Sequence, residues 1–284
     1  MTSKRERIGL TGARGVLGRS LQRDCPDVEW VLFPGDIREL PMVKKWLTEA
    51  GPLDGVVHLA AIVPTVKVEA NPAEAIRANV EGTVNILDAA RGLVSQPWVF
   101  LASSSHVYAS SAEPLSEDSL LSPVSLYGLT KRQAEDWALT YQQKFNLPVC
   151  VGRIFSFSSP WQDGSYFIPG LIRKISEAPR GAKLEIFGLH GTRDFLSTEQ
   201  ISAVIKFLFT KRAAGIFNIG SGQSVRLLDV ALEVQRRLGR DDVQIIPLEK
   251  GTAHLNAKVD KLKGLGLQSH FDLAAFLDPM LPGR

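Results

Sequence analysis

Four residues from Ser104 to Lys131, namely Ser104, His106, Tyr127 and Lys131, have the types and spacing for proton transfer to and from a hydroxyl or carbonyl group. The segment reads Ser103-Ser104-Ser105-His106-Val107-Tyr108, then a loop, then Tyr127-Gly128-Leu129-Thr130-Lys131. A phenol titrates near ~10, too high to exchange protons readily at neutral pH, and a nearby ammonium favours its ionised form. Tyr127 and Lys131 stand four apart, on one face of any helix that carries both. A serine hydroxyl opposite, such as Ser104, would hold a substrate oxygen in line with the phenol, giving an acid/base set for alcohol and ketone chemistry. The chain has four tyrosines, and a lysine four residues after one of them arises by composition in roughly one such chain in five. The pair therefore needs support from the elements around it.

Those elements are legible. The apolar run Trp98 to Ala102 is a buried strand that ends at the serines. Tyr127, Lys131, Ala134, Ala138, Tyr141 and Phe145 recur at three and four and predict a helix. Upstream, the short strand Ile8-Gly9-Leu10 runs directly into Thr11-Gly12-Ala13-Arg14-Gly15-Val16-Leu17-Gly18. Glycines at the first, fourth and seventh places of that loop allow a tight turn, close approach of a pyrophosphate, and close helix packing. The N–H groups that open the helix would then face the phosphates.

A second strand spans Val28 to Phe33, and Asp36-Ile37 follow where an acidic residue commonly holds the adenosine ribose or faces the adenine. Arg14 is a candidate partner for a 2′-phosphate, or else a solvated loop residue. Gly55 to Ala61 is a third strand with the unalternating apolarity of parallel sheets, and His58 within it reads as a satisfied core histidine. Asn71-Pro72 caps a helix whose apolar stripe is Ile76, Val80, Val84 and Leu87. Strands alternating with helices to about residue 155 predict an α/β fold, a Rossmann-type doubly wound parallel sheet over 1–155. Residues 156–284 read as mainly a smaller C-terminal substrate-binding lobe, with part of 190–235 returning to the Rossmann domain. In that half, Phe167 to Ile175 reads as a short helix broken early by Pro169-Gly170.

Bulk composition narrows the classes. The 284 residues are 44% hydrophobic and 22% charged, with a net charge of +3, the balance of a globular protein. Charges are scattered, so nucleic acid is not an expected partner, and no apolar run approaches a membrane span. The charged start, Met1 to Arg7, does not resemble a signal peptide. Two distant cysteines, Cys25 and Cys150, match no metal spacing and suit a reducing, cytoplasmic setting.

Taken together, these motifs resemble the extended short-chain dehydrogenase/reductases, in particular the NAD-dependent epimerase/dehydratase group that acts on nucleotide sugars. The resemblance rests on Gly12, Gly15 and Gly18, on Gly35-Asp36-Ile37-Arg38, on His58-Leu59-Ala60-Ala61, on Ser104 four residues before Tyr108, and on Tyr127 with Lys131. It extends to Arg193-Asp194-Phe195 and Asn218-Ile219-Gly220-Ser221-Gly222. It implies NAD or NADP as cofactor, held by Gly12, Arg14, Gly15, Val16, Leu17, Gly18, Asp36, Ile37, Leu59, Ala60, Ala61 and Lys131. It implies Tyr127 as acid/base, Lys131 on the nicotinamide ribose and Ser104 orienting the reacting oxygen.

Arg193 resembles the arginine that binds the substrate diphosphate, the competing reading being an ion pair with Asp194. Related dehydratases carry Asp-Glu where this chain has Ser105-His106, which disfavours dehydration. His106 instead occupies the place of a substrate-facing acid/base residue in GDP-fucose synthases, which also carry an arginine at the place of Arg14. It is either a second acid/base or a contact residue. Ser105, His106, Ser156 and Arg193 are the implied substrate contacts, Ser156 standing where the family usually has asparagine. The implied activity is reduction of a nucleotide-linked 4-keto-6-deoxyhexose. The alternatives are a 4-epimerase with tightly bound NAD, or a non-catalytic dinucleotide sensor. By analogy with relatives that pair through the helices Pro72 to Arg91 and Tyr127 to Lys144, a homodimer is expected.

Overall fold

The computed structural model describes residues 5–63, 65–123, 125–249 and 253–281; the first four residues of the charged start lie outside these. The chain divides into two compact units. One comprises the described residues up to Ala109, Leu120–Ile154 and Glu199–Phe217; the other comprises Ser110–Ser119, Phe155–Thr198 and the described residues from Asn218 on.

The first unit is built on a mostly parallel six-stranded sheet in the order Gly215–Ile219, Val149–Ile154, Trp98–Ser104, Gly55–His58, Arg7–Thr11, Glu29–Leu32. Val149–Ile154, Trp98–Ser104 and Gly55–His58 are buried along their whole length, the reason they read as unbroken apolar runs rather than alternating ones. Helices Leu40–Glu49, Gly82–Arg91 and Leu126–Phe145 supply Val43, Leu47, Ile86, Leu87, Ala134 and Ala138 to the core that covers the sheet. Sequence order reverses between Arg7–Thr11 and Gly55–His58, which lie side by side with Thr11 opposite His58. Crevices of doubly wound sheets open at such a reversal, beyond the carboxyl ends of the strands. Here those ends are Gly12 and Leu59–Ala61.

Two local expectations need correction. Ile76 is 47% exposed and Val80 and Val84 are only half-buried, whereas Ala75, Ala78, Gly82, Ile86 and Leu87 are buried. The helix begun at Pro72, capped by Asn71 accepting from the Glu74 N–H at 3.2 Å, passes through a π-turn at Arg77–Glu81 before Gly82–Arg91. The wider turn advances the phase of the apolar face, so a stripe counted at 3.6 residues per turn lands on the wrong side. Pro169-Gly170 does not break the helix Phe167–Glu177, because Pro169 sits in the first turn, where its missing N–H has no intrahelical acceptor to lose.

The second unit has its own core, in which Ile168, Leu171 and Ile175 of that helix meet Val230, Ala231 and Val234 of the helix Leu227–Arg237, with Phe195, Phe271 and Phe276. Among the described residues, no helix is long and apolar enough to cross a membrane.

Candidate active site

Thr11 ends the first strand and Gly12 turns the chain with φ +71. A Cβ on Gly12 would lie 2.7 Å from the Ala60 nitrogen, so the glycine is required both by its backbone angle and by the approach of the Leu59–Ala60 segment. Gly18 has no room for a Cβ against the Gly12 carbonyl and Ala13, which seats the helix Val16–Asp24 directly on the turn. Its N-cap Gly15 offers no side chain, and its first turn holds no acidic residue. The leading N–H groups and the positive end of the helix are thus left for an external anion. That arrangement fits a dinucleotide pyrophosphate.

Thr11 joins this turn to the neighbouring strand. Its hydroxyl accepts from the Leu59 and Ala60 N–H groups at 3.2 Å each and lies 2.7 Å from His58 Nδ1. His58 Nε2 lies 3.2 Å from the Thr83 hydroxyl, which itself donates to the Asn79 carbonyl at 2.7 Å. Thr83 has one proton and has spent it, so Nε2 carries the imidazole proton and Nδ1 accepts from Thr11. Burial, aided by the Lys131 charge, lowers the His58 pKa to about 3. His58 is a neutral core residue with both nitrogens occupied.

Asn79, 1% exposed within the π-turn, accepts from the Ile62 N–H at 2.7 Å. It also donates to the Ile62 carbonyl and to the Thr130 hydroxyl, at 3.0 Å each. This side chain ties the segment after Gly55–His58 to the helix that carries Tyr127.

On the helix Leu126–Phe145, Ser125 caps the first turn by accepting from the Gly128 N–H at 3.1 Å. Tyr127 is 8% exposed and packs with Val68, Ala75, Ile62 and Val63. Lys131, 5% exposed, donates through Nζ to the Ala102 carbonyl at 2.9 Å, two residues before Ser104 on the adjacent strand. Burial draws its pKa down to about 8, opposed by the charge of Glu135. The carbonyl of His106 lies against Gly128 where a Cβ would overlap it, so only glycine after Tyr127 lets the turn Ser105–Val107 approach the helix.

In that turn, Ser104 accepts from the His106 N–H at 3.2 Å. Ser105 is buried, whereas His106 is half-exposed with its ring 5.7 Å from that of Tyr127 at 71°. Ser104, His106, Tyr127 and Lys131 are thus carried by one strand end, one turn and one helix face, within a single unit. Arg14 is exposed on the glycine loop. Asp36 lies beyond the strand Glu29–Leu32, its carboxylate gripped by Arg38 Nε at 3.0 and 2.9 Å, which holds it below the usual carboxylate range. Ile37 is buried behind it.

The remaining candidates belong to the second unit. Ser156 opens the short strand Ser156–Ser158, paired in parallel with Phe195–Ser197, and its N–H donates to the Asp194 carbonyl at 3.0 Å. Asp194 is fully buried and accepts from the Ser221 N–H and hydroxyl at 2.7 and 2.8 Å, from Gly222 N–H at 2.8 Å and from Ala257 N–H at 3.3 Å. Burial raises its pKa to about 6 against the pull of those donors. Arg193 does not pair with it. The Arg193 guanidinium donates to the Thr192 and Ala253 carbonyls at 2.9 and 2.5 Å, and burial alone lowers its pKa. The ion-pair reading of Arg193-Asp194 is therefore corrected.

Sequence reasoning passed over Glu135 and Arg153, 0% and 1% exposed. Both were signalled as charges interrupting apolar patterns, one on the stripe of Lys131 and one inside the strand Val149–Ile154.

A family model described as the NAD dependent epimerase/dehydratase family matches residues 8–220. GDP-6-deoxy-D-mannose reductase of Pseudomonas aeruginosa is 27% identical over 252 residues, covering 85% of this chain and 83% of that enzyme. UDP-glucuronate 4-epimerase 2 of Arabidopsis thaliana is 33% identical over 229 residues, 73% of this chain but 51% of the plant protein, so the chain spans about half of that relative's length. The solved structure of RMD from Pseudomonas aeruginosa, complexed with NADPH, shares the fold at a TM-score of 0.86 and 22% identity, with 97% of each chain covered. On the extent of the family match, the chain belongs to the NAD dependent epimerase/dehydratase family.

Proposed function

We propose that the chain reduces the 4-keto group of a nucleotide-linked 6-deoxyhexose, using NADH or NADPH. The observation that carries this reading is the buried Lys131, anchored on the Ala102 carbonyl one helical turn from Tyr127. A desolvated ammonium there favours transfer of the phenolic proton to a carbonyl oxygen as it becomes a hydroxyl. Ser104 orients that oxygen, and His106 lines the same side as a contact or second acid. The nicotinamide, when bound, supplies the hydride. Gly12 to Gly18 and Leu59 to Ala61 hold the dinucleotide, and exposed Arg14, with Asp36 already neutralised by Arg38, supports NADP(H) over NAD(H). Arg193, a half-buried guanidinium with only carbonyl partners among the described residues, suits a diphosphate.

Turnover is read as loss of NADPH or NADH absorbance with a nucleotide 4-keto-6-deoxyhexose. Tyr127→Phe should lower kcat by roughly 10²–10⁴-fold while dinucleotide binding survives; an unimpaired Tyr127→Phe enzyme would remove the proposal's central residue. A 4-epimerase is the second reading, favoured by the 33% identity to a UDP-glucuronate 4-epimerase. Stoichiometric NAD released on denaturing the purified protein would move the assignment there. The exposed Leu126, Leu129 and Trp137 of one helix, with Ile76 of its neighbour, support a homodimer through these faces, checked by sedimentation. The buried cysteines Cys25 and Cys150 are consistent with a cytoplasmic protein.

A further inference from the structure

We propose that the buried Glu135–Arg153 pair is a positioning clamp for the reacting set, fixing the Ser104–His106 segment against the helix of Tyr127 and Lys131 and placing a negative charge one turn beyond Lys131. The proposal rests on the reading of Ser104, Tyr127 and Lys131 given above.

The geometry is specific. Arg153 Nε lies 3.1 and 3.2 Å from the two Glu135 oxygens, and Nη2 lies 2.8 Å from Oε2. Each partner also holds one flank of the turn. Ser103, directly before Ser104, donates a short hydrogen bond to Glu135 Oε1. Tyr108, two residues after His106, accepts from Arg153 Nη1 at 2.8 Å, with the guanidinium carbon 4.8 Å from its ring centre. Ser103 and Arg153 face each other in register across adjacent strands. One carboxylate and one guanidinium therefore bind two strand ends, both ends of the turn, and the helix.

Burying two charges is costly, and apolar residues of similar volume commonly fill such a site with no loss of stability. A pair kept here at 0% and 1% exposure needs a use beyond holding the fold together. Alignment of the serine with the phenol supplies it, since small misplacements of reacting groups are costly in rate.

The charge has a second consequence. Among the described residues, the groups around Lys131 and Tyr127 are Glu135 on their own helix, the Ala102 carbonyl from the strand Trp98–Ser104, neutral His58 from Gly55–His58, and the half-exposed His106 ring beside Tyr127. Arg153 stands behind Glu135. Removing the Glu135 charge takes away the negative potential that supports the Lys131 ammonium and makes the surroundings of Tyr127 and Lys131 more positive, which drives protons from both. Reduction needs Tyr127 protonated and Lys131 charged, so the basic limb of the rate must fall to lower pH.

The experiment compares wild type with Glu135→Gln in kcat and KM as functions of pH, and in the pH dependence of dinucleotide binding followed by tryptophan fluorescence. Expected are a kcat lower by about tenfold or more with dinucleotide affinity within about threefold, and a basic limb moved down by about one pH unit. A limb that stays in place, or an unchanged kcat, overturns the clamp; a structural role alone would lower the yield of folded protein without moving the limb. Should Glu135→Gln fail to fold, the double variant Glu135→Leu/Arg153→Met, free of unpaired charge, decides. It should fold and show the same loss of kcat, and a wild-type kcat would refute the proposal. A wild-type protein that binds dinucleotide yet turns over no nucleotide 4-keto sugar would sink the reductase reading alone, because the pH dependence of binding still tests the clamp.

Discussion

Two arginine–carboxylate couples in this chain invert what their spacing suggests. Arg193 and Asp194 are consecutive and do not pair, whereas Arg153 and Glu135, 18 residues apart, pair bidentately at 1% and 0% exposure. Arg193 ends the strand Thr192–Arg193, and Asp194 continues as extended backbone into Phe195–Ser197. Successive side chains on extended backbone point to opposite faces, so Arg193 reaches two carbonyls while Asp194 is taken by the turn at Ser221. Arg153 and Glu135 come from a strand and from the helix packed on it, where opposite charges can meet. Adjacency in sequence is a poor guide to ion pairing in strands; facing elements decide it.

The sharpest way to break the contrast is to remove one member of the true pair. Arg153→Met strands the Glu135 carboxylate in the core and should cost about 3–5 kcal/mol of unfolding free energy. Denaturant titration at neutral pH measures it, and the double variant Glu135→Leu/Arg153→Met should recover most of the loss. If Arg153→Met unfolded like wild type, the two charges would not be coupled.

Asp194 is the other half of the comparison, a buried carboxylate satisfied by N–H and O–H donors instead of a cation. Asp194→Asn keeps one acceptor oxygen and turns an amide toward donors, so at least one of the Ser221, Gly222 and Ala257 N–H groups loses its acceptor. A loss of roughly 2–3 kcal/mol is expected. Because Arg193 does not depend on Asp194, affinity for a nucleoside diphosphate should be nearly unchanged in whatever fraction remains folded, a result that calorimetry can check.

The same comparison marks what sequence could carry. The buried strands announced themselves as apolar runs, and the Gly12 turn and the Asn71-Pro72 cap by local backbone requirements. Tyr127 and Lys131 shared a helix face by spacing alone. The Ile76–Val84 stripe misled because a π-turn, invisible in composition, changes the phase of the helix. The clamp stayed hidden because it depends on the register of Ser103 with Arg153 and on the helix laid across both, neither of which is a local property. Its only trace was a charge at Glu135 and another at Arg153 where an apolar residue was due.

His58 shows the first unit burying a titratable group without charge. Its folded pKa of about 3 lies below the ordinary value near ~6.5. The unfolded chain therefore takes up the proton first as pH falls. His58's contribution to stability is complete above pH ~6.5 and lost on acidification toward pH 3, amounting to about 2 kcal/mol by pH 5. Denaturant titrations at pH 7 and pH 5 should show that loss, and His58→Gln, which keeps a donor and an acceptor, should flatten it. An equal slope in the variant would place the acid sensitivity elsewhere.

The smallest stability effect belongs to Arg193, and it separates the two readings of that residue most cleanly. An arginine serving an ion pair would, when removed, leave a buried carboxylate and cost several kcal/mol. Arg193→Met leaves only the Thr192 and Ala253 carbonyls without its donors, and it also relieves the desolvation of a charge that burial already disfavours. These terms oppose each other, so stability should change by less than about 1 kcal/mol. Binding should behave in the opposite way. A guanidinium on a diphosphate forms charge-assisted hydrogen bonds, and losing them should weaken a nucleoside diphosphate by about ten- to a hundredfold in calorimetry. A variant that loses stability and keeps its affinity would return Arg193 to a structural role. One that keeps stability and loses affinity makes the half-buried guanidinium the substrate's anchor, a residue without a carboxylate among the described residues because the ligand brings the negative charge.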